Sequence, residues 1–88
     1  MSAHAVVYTM TYCPYCQAAK KLLKKKGVVV EEVNLDEHPE RWDECEKRSG
    51  RQTVPQIFIG DRHVGGCDDL ESMNRSGELD ELLKEAKG

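Results

Sequence analysis

Cys13 and Cys16 stand where an apolar, β-branched run gives way to an amphipathic one, and that junction restricts the fold more than any other feature of the chain. Upstream, Ala5-Val6-Val7-Tyr8-Thr9 has the character of a buried strand. Downstream, Pro14 to Lys26 reads as a helix in which Ala18, Ala19, Leu22 and Leu23 form one stripe. Lys20, Lys21 and Lys24 to Lys26 are then expected to face water, the last of them complementing the negative pole of the helix dipole. Pro14 suits the first turn, where its missing N–H leaves no bond unmade, and Gly27 fits just past the end. The two cysteines therefore open a helix directly after a strand.

The alternation continues. Val28-Val29-Val30-Glu31-Glu32-Val33 reads as a second strand, and a second helix is expected from near Asp36 to Pro39 as far as Ser49, stopped by Gly50. Trp42 and Cys45 would lie on its inward face. Gln56-Ile57-Phe58-Ile59 is a third strand, and Gly60-Asp61 turns it into a short fourth, Arg62-His63-Val64. Gly65-Gly66 breaks the chain before a short helix opening at Cys67-Asp68-Asp69, and an amphipathic helix carrying Leu79, Leu82, Leu83 and Ala86 follows. The order β-α-β-α-β-β-α plus a C-terminal helix predicts an α/β fold with a mixed four-stranded sheet flanked by helices. Its first strand–helix–strand unit should be parallel and right-handed, its last hairpin antiparallel. The length of 88 residues is that of one domain, expected over 1–88.

A net charge of -3 gives no basic face for nucleic acid, and none is expected as a partner. No apolar run approaches the roughly 20 residues of a membrane span. Met1 to Val7 lacks the pattern of a signal peptide, so a cytoplasmic location is expected, with no membrane partner. In that compartment the four cysteines, Cys13, Cys16, Cys45 and Cys67, suggest catalysis or metal binding rather than structural disulfides. A structural zinc needs four ligands, commonly in two close pairs. Cys45 and Cys67 stand alone, and His4, His38 and His63 have no ligand-like spacing, so no metal is expected.

Redox chemistry fits the Cys13/Cys16 pair better. A spacing of three on a helix puts both side chains on one face, close enough for a disulfide. Cys13 falls at the helix start, where unpaired N–H groups and the dipole favour negative charge. Such motifs lower a thiol pKa from about 8.5 to between about 3.5 and 7.5. A drop of three units is worth roughly 4 kcal/mol in favour of the thiolate. Cys13 is thus the expected nucleophile and Cys16, one turn further in, the resolving thiol.

Three blocks, Tyr8-Thr9 through Cys13-Pro14-Tyr15-Cys16, Thr53-Val54-Pro55-Gln56-Ile57-Phe58-Ile59 and Gly65-Gly66-Cys67-Asp68-Asp69-Leu70, resemble the glutaredoxin family in its bacterial dithiol type. The resemblance covers essentially the whole chain. It implies a thioredoxin fold, glutathione as co-substrate, and disulfide-containing or glutathionylated proteins as partners of a monomeric enzyme. It also implies a cis peptide before Pro55, where the residue alone leaves an ordinary trans turn open. Glutathione would then pair with the Val54 backbone like an added strand, with Tyr15 and Thr53 beside it. Gly65-Gly66 would let the backbone approach the ligand. The N–H groups of Cys67 and Asp68 would bind the γ-glutamyl carboxylate, and the Asp68 carboxylate its ammonium group. Asp68 and Asp69 as plain helix caps remain the alternative.

Where many members of that family carry a lysine shortly before the dithiol, this chain has Met10, and Arg51 or Gln52 is expected to meet the glycyl carboxylate instead. Cys45 reads as a small core residue beside Trp42, itself a packing residue, and Cys67, at a helix start near the dithiol, is left open, with partial reactivity the less favoured alternative. A thioredoxin-like reductase fed by a flavoprotein and an iron–sulfur carrier using Cys13 and glutathione are the rival functions. Pro14-Tyr15 between the cysteines and the Gly65-to-Asp69 block favour the glutathione-linked enzyme.

Overall fold

A computed structural model describes residues 3–87; Met1, Ser2 and Gly88, which the expected 1–88 domain includes, lie outside the described residues. The strands are β1 (His4–Thr9), β2 (Val29–Asn34), β3 (Gln56–Ile59) and β4 (Arg62–Gly65). The helices are α1 (Pro14–Lys25), α2 (Trp42–Ser49, preceded by a 3-10 turn at Pro39–Arg41), α3 (Cys67–Ser76) and α4 (Glu78–Lys87). The sheet order is β2-β1-β3-β4. β1 runs parallel to β2, with Tyr8 opposite Val33, and antiparallel to β3, with Val6 opposite Phe58. β3 and β4 form the antiparallel hairpin. This is the mixed four-stranded sheet with flanking helices that the element order predicts.

β1 is central, so both of its faces are covered and it reads as a continuous apolar run rather than an alternating one. Ala5 and Val7 point to one face, into a core with Ala19 and Leu23 of α1, Ile57 and Ile59 of β3, Leu70 of α3 and Leu79 of α4. Tyr8 points to the other, onto Val33, Leu35, Cys45 of α2 and Phe58. Each fully buried Leu, Ile or Val contributes roughly 1.5–3 kcal/mol relative to exposure. The last residues of β1 are thus held rigidly from both sides, and β1 delivers the chain to Cys13.

Several details differ from the sequence-based expectation. The α1 stripe is Cys16, Ala19 and Leu23, with Leu22 partly buried and Ala18 exposed. Not all the α1 lysines face water alone. Lys20 reaches Glu32 at 2.9 Å with its side chain only 14% exposed, and Lys26 pairs with Asp80. The second helix does not begin at Asp36. Asn34 Oδ1 accepts the N–H groups of Asp36 and Glu37 in a local turn, a 3-10 turn opens at Pro39, the late end of the expected range, and regular α structure starts at Trp42. The helix at Cys67 is ten residues long rather than short. It ends where Gly77 adopts φ +88, a left-handed conformation that favours glycine. Ala86 of α4 is exposed, while Leu79, Leu82 and Leu83 are buried as expected. Strand and helix ends differ by a residue: Val28 precedes β2, Lys26 caps α1 and Gly65 closes β4.

Candidate functional site

Cys13 is the N-cap of α1, with extended backbone (φ -139°, ψ 97°), and its Sγ accepts the Cys16 N–H at 3.2 Å. Oxygen side chains usually fill this position because they satisfy an otherwise unpaired helix donor. A sulfur there gains most when it is an anion, since a charged acceptor forms the stronger bond and faces the positive pole of the helix. Pro14 occupies the first turn without costing a donor, and Gln17 N–H closes the first helical bond to Cys13 O at 3.1 Å. Cys13 and Cys16 are joined as a disulfide with Cα atoms 5.1 Å apart. Cys16 is fully buried and Cys13 half-buried, so a reactant from solvent meets Cys13 first. Tyr12 and Tyr15 on either side of Cys13 are exposed, Tyr12 to 95%. The approach to Cys13 is fixed by Thr11 N–H, which donates to Asp36 Oδ2 at 2.7 Å.

Beside the dithiol lies an open groove of about 200 Å³. Tyr15, Arg51, Thr53, Val54, Pro55, Cys67 and Asp68 all line it, so the three sequence blocks meet in one place. Gly66 and Asp69 complete the lining. The Val54–Pro55 peptide is cis, as the resemblance implies. Leu70 N–H reaches Gly66 O at 3.0 Å, so α3 begins at the groove wall and its first N–H groups open onto it.

Asp69 caps this helix end and Asp68 does not. The Asp69 Oδ2 accepts from Gly66 N–H at 2.9 Å and from Arg51 Nη1 at 3.2 Å. The Gly66 N–H first, and then Arg51, hold the Asp69 carboxyl below its usual pKa. Gly65 makes room for that carboxylate. With φ +117, any Cβ built there would lie 2.3 Å from Asp69 Oδ2. A Cβ at Gly66 would meet Pro55 O at an ordinary 3.5 Å. Asp69 was legible only as a possible cap, although its place three residues after Gly66 is the spacing of a helix-capping acid.

Gln52 does not face the groove: its Nε2 donates to Glu46 Oε1 of α2 at 2.9 Å. Arg51 does, although part of its guanidinium already holds Asp69. Met10 is half-buried and outside the groove lining. The Cys67 thiol is pushed up, by burial first and then by Glu71, whose Oε1 it approaches at 3.7 Å. That environment weighs against the alternative of a partly reactive Cys67. Cys45 is buried against Tyr8 and Phe58 with Trp42 packed alongside, and burial raises its thiol too.

The family model described as Glutaredoxin matches residues 5–64. The chain belongs to the glutaredoxin family. This glutaredoxin is 53% identical over 78 residues to the glutaredoxin of Pseudomonas aeruginosa, covering 89% of this chain and 93% of that one. It is 51% identical over 82 residues to glutaredoxin 3 of Escherichia coli K12, covering 93% and 99% respectively. Among solved structures, a buckwheat glutaredoxin–glutathione complex superposes with a TM-score of 0.86 at 34% identity, covering 97% of this chain and 80% of that one. The fold is therefore the thioredoxin fold as glutaredoxins carry it, and the protein is a thiol–disulfide oxidoreductase with a redox-active Cys-x-x-Cys pair. Among the described residues no helix of this glutaredoxin is long and apolar enough to cross a membrane.

Proposed function

We propose that this chain reduces protein disulfides and glutathione mixed disulfides with electrons from glutathione, Cys13 acting as nucleophile and Cys16 as resolving thiol. The observation that carries the reading is the Cys13 sulfur at the α1 N-cap, accepting the Cys16 N–H beside a groove lined by all three sequence blocks. The Cys13 thiolate attacks one sulfur of a substrate disulfide; a Cys13–substrate disulfide forms and the other substrate sulfur leaves as thiolate. Cys16, losing its proton, attacks the Cys13 sulfur and releases the second substrate thiol. One glutathione thiolate then opens the Cys13–Cys16 bond to give glutathionylated Cys13. A second attacks the glutathione sulfur of that bond, leaving glutathione disulfide and the Cys13 thiolate. A glutathionylated substrate enters at the glutathionylated-Cys13 stage and needs no Cys16.

In the groove, glutathione lies along the Val54–Pro55 backbone between Tyr15 and Thr53. Its γ-glutamyl carboxylate meets the N–H groups of Cys67 and Asp68, and its ammonium group the Asp68 carboxylate. Arg51 supplies the charge for the glycyl carboxylate. The protein works as a cytoplasmic monomer of one domain, on disulfide-containing or glutathionylated proteins. Because Met10 is uncharged, Met10→Lys should lower the apparent KM for glutathione by about twofold to fivefold, the worth of one exposed charge pair. Steady-state kinetics of the two proteins decide this, and an unchanged or higher KM removes position 10 from the glutathione site.

The reading is tested by mixing the oxidised protein with glutathione alone. Full reduction through a Cys13-glutathionylated intermediate, trapped by acid quench and seen by mass spectrometry, is expected. Resistance to glutathione together with rapid reduction by a flavoprotein reductase and NADPH would transfer the enzyme to thioredoxin-like chemistry.

A further inference from the structure

Gln56 is almost completely buried, 1% exposed, yet it is a polar side chain in a strand whose other residues are apolar. Its amide joins two elements. Nε2 lies 3.0 Å from Thr53 O and 3.1 Å from Thr53 Oγ1, and Oε1 lies 2.8 Å from His63 Nε2 on β4. Thr53 lines the groove; Gln56 and His63 do not.

Chemistry fixes every hydrogen in this chain. A backbone carbonyl only accepts, so the group facing Thr53 O must be the NH2 end of the amide. That NH2 has two hydrogens, one for Thr53 O and one for Thr53 Oγ1. The far end of the amide is then an oxygen, and His63 Nε2, at 2.8 Å from it, must carry a hydrogen. His63 is partly buried, with its ring 4.8 Å from that of Phe58. Burial first, and then Arg51, depress its pKa against the opposing pull of Asp69, which favours a neutral ring; the Gln56 oxygen beside Nε2 then places its one proton there. Since the Thr53 oxygen is already accepting, its hydroxyl hydrogen is left over. No other bond among the described residues uses it. The hydroxyl therefore presents a donor to the groove.

We infer that Gln56, held by His63, is a positioning residue that sets the polarity of Thr53, making its hydroxyl a dedicated donor to a carbonyl or carboxylate oxygen of the bound thiol peptide. This rests on the proposal that the groove binds glutathione and specifies how one of its walls does so. The device selects an acceptor at that point of the ligand. A ligand with a donor there meets the Thr53 hydroxyl hydrogen head-on.

Substituting Gln56→Glu replaces the NH2 end by a second acceptor. The Thr53 hydroxyl must then turn inward to satisfy the buried carboxylate, and the groove loses its donor. Loss of one hydrogen bond that leaves an acceptor unpaired in the ligand corresponds to roughly a tenfold weaker complex. Thr53→Ala should raise the KM for glutathione about tenfold, with kcat changed less than about threefold, and Gln56→Glu should do the same. Thr53→Ser should retain the unmodified protein's KM. In the double variant Gln56→Glu/Thr53→Ala the two effects should not multiply, because both remove the same donor. A wild-type KM in Gln56→Glu beside a raised KM in Thr53→Ala overturns the inference while leaving glutathione in the groove. Multiplying effects overturn it as well, since Gln56 would then act by another route. A KM that no groove substitution moves, Thr53→Ala and Asp68→Asn included, sinks the underlying glutathione site instead. One measurement needs no variant. Long-range 1H–15N correlation on the unmodified protein should find His63 with its proton on Nε2, and an Nδ1–H ring overturns the inference because it would leave two lone pairs facing each other.

Discussion

Cys13→Ser should abolish glutathione-dependent reduction of a mixed disulfide, while Cys16→Ser should keep it. The asymmetry follows from where the two sulfurs lie. Cys13 caps α1, half-exposed, with its sulfur on the Cys16 N–H, so it is the atom that a disulfide from solvent reaches and the one the helix end stabilises as an anion. A serine hydroxyl at that place is un-ionised at neutral pH and cannot form the mixed disulfide, so the rate should drop by about 10⁴ or more, to the uncatalysed background. Cys16 is fully buried in the α1 stripe, and in the proposed cycle it only displaces a substrate already bound to Cys13. Its replacement should leave deglutathionylation within about threefold, because a second glutathione resolves that intermediate, and should stop turnover of protein disulfides that require the dithiol. Steady-state assays with a glutathionylated peptide and with a protein disulfide separate the two. Retained activity in Cys13→Ser, or loss of deglutathionylation in Cys16→Ser, contradicts the assignment.

Gly65→Ala should be the most damaging change of a single hydrogen to methyl in the groove wall. The backbone at φ +117 disfavours any side chain, at roughly 1–3 kcal/mol. The added Cβ would occupy the place of Asp69 Oδ2, which lies 2.3 Å from it. Asp69 must then swing away, giving up the Gly66 N–H and Arg51 together, and loss of a helix cap costs about 1 kcal/mol more. A total of about 2–4 kcal/mol should appear as an earlier urea midpoint, accompanied by a higher KM for glutathione as the α3 end loosens. Asp69→Asn should reproduce the smaller, capping share of the loss without the backbone share. Gly65→Ala with unchanged stability would show that Asp69 is not confined as described.

How much of this was legible in the chain depends on which interactions are local. β1 followed by a cysteine-capped helix was readable because strand and helix periods are local patterns, and β1 is apolar on both faces as a central strand must be. Cys16 was read for its chemistry alone, and the helix stripe was drawn through Ala18. In the fold Cys16 belongs to that stripe, so the resolving thiol is buried by the same geometry that packs α1. The start of α2 is not marked by hydrophobic periodicity: Asn34 Oδ1 ties the N–H groups of Asp36 and Glu37 into a local turn, a 3-10 turn opens at Pro39, and regular α structure begins at Trp42. The groove residues stand in the sequence as three separated blocks; only pairing of β1 with β3 and of β3 with β4, and docking of α3, bring them together. For the same reason Gln52 and Arg51, adjacent in sequence, diverge to Glu46 and Asp69. The Gln56–His63 contact exists only once β3 and β4 pair, so no sequence pattern announced it.

Alkylation of the reduced protein across pH 4 to 9, with the modified cysteine identified by peptide mapping, tests most directly whether the helix end holds an ionised sulfur. The expected result is labelling confined to Cys13, with a rate already at its plateau by pH 7. Cys45 and Cys67 should stay unmodified, because burial raises both thiols. A Cys13 rate still rising through about pH 8.5, as for a free thiol, or first labelling at any other cysteine, would contradict the account.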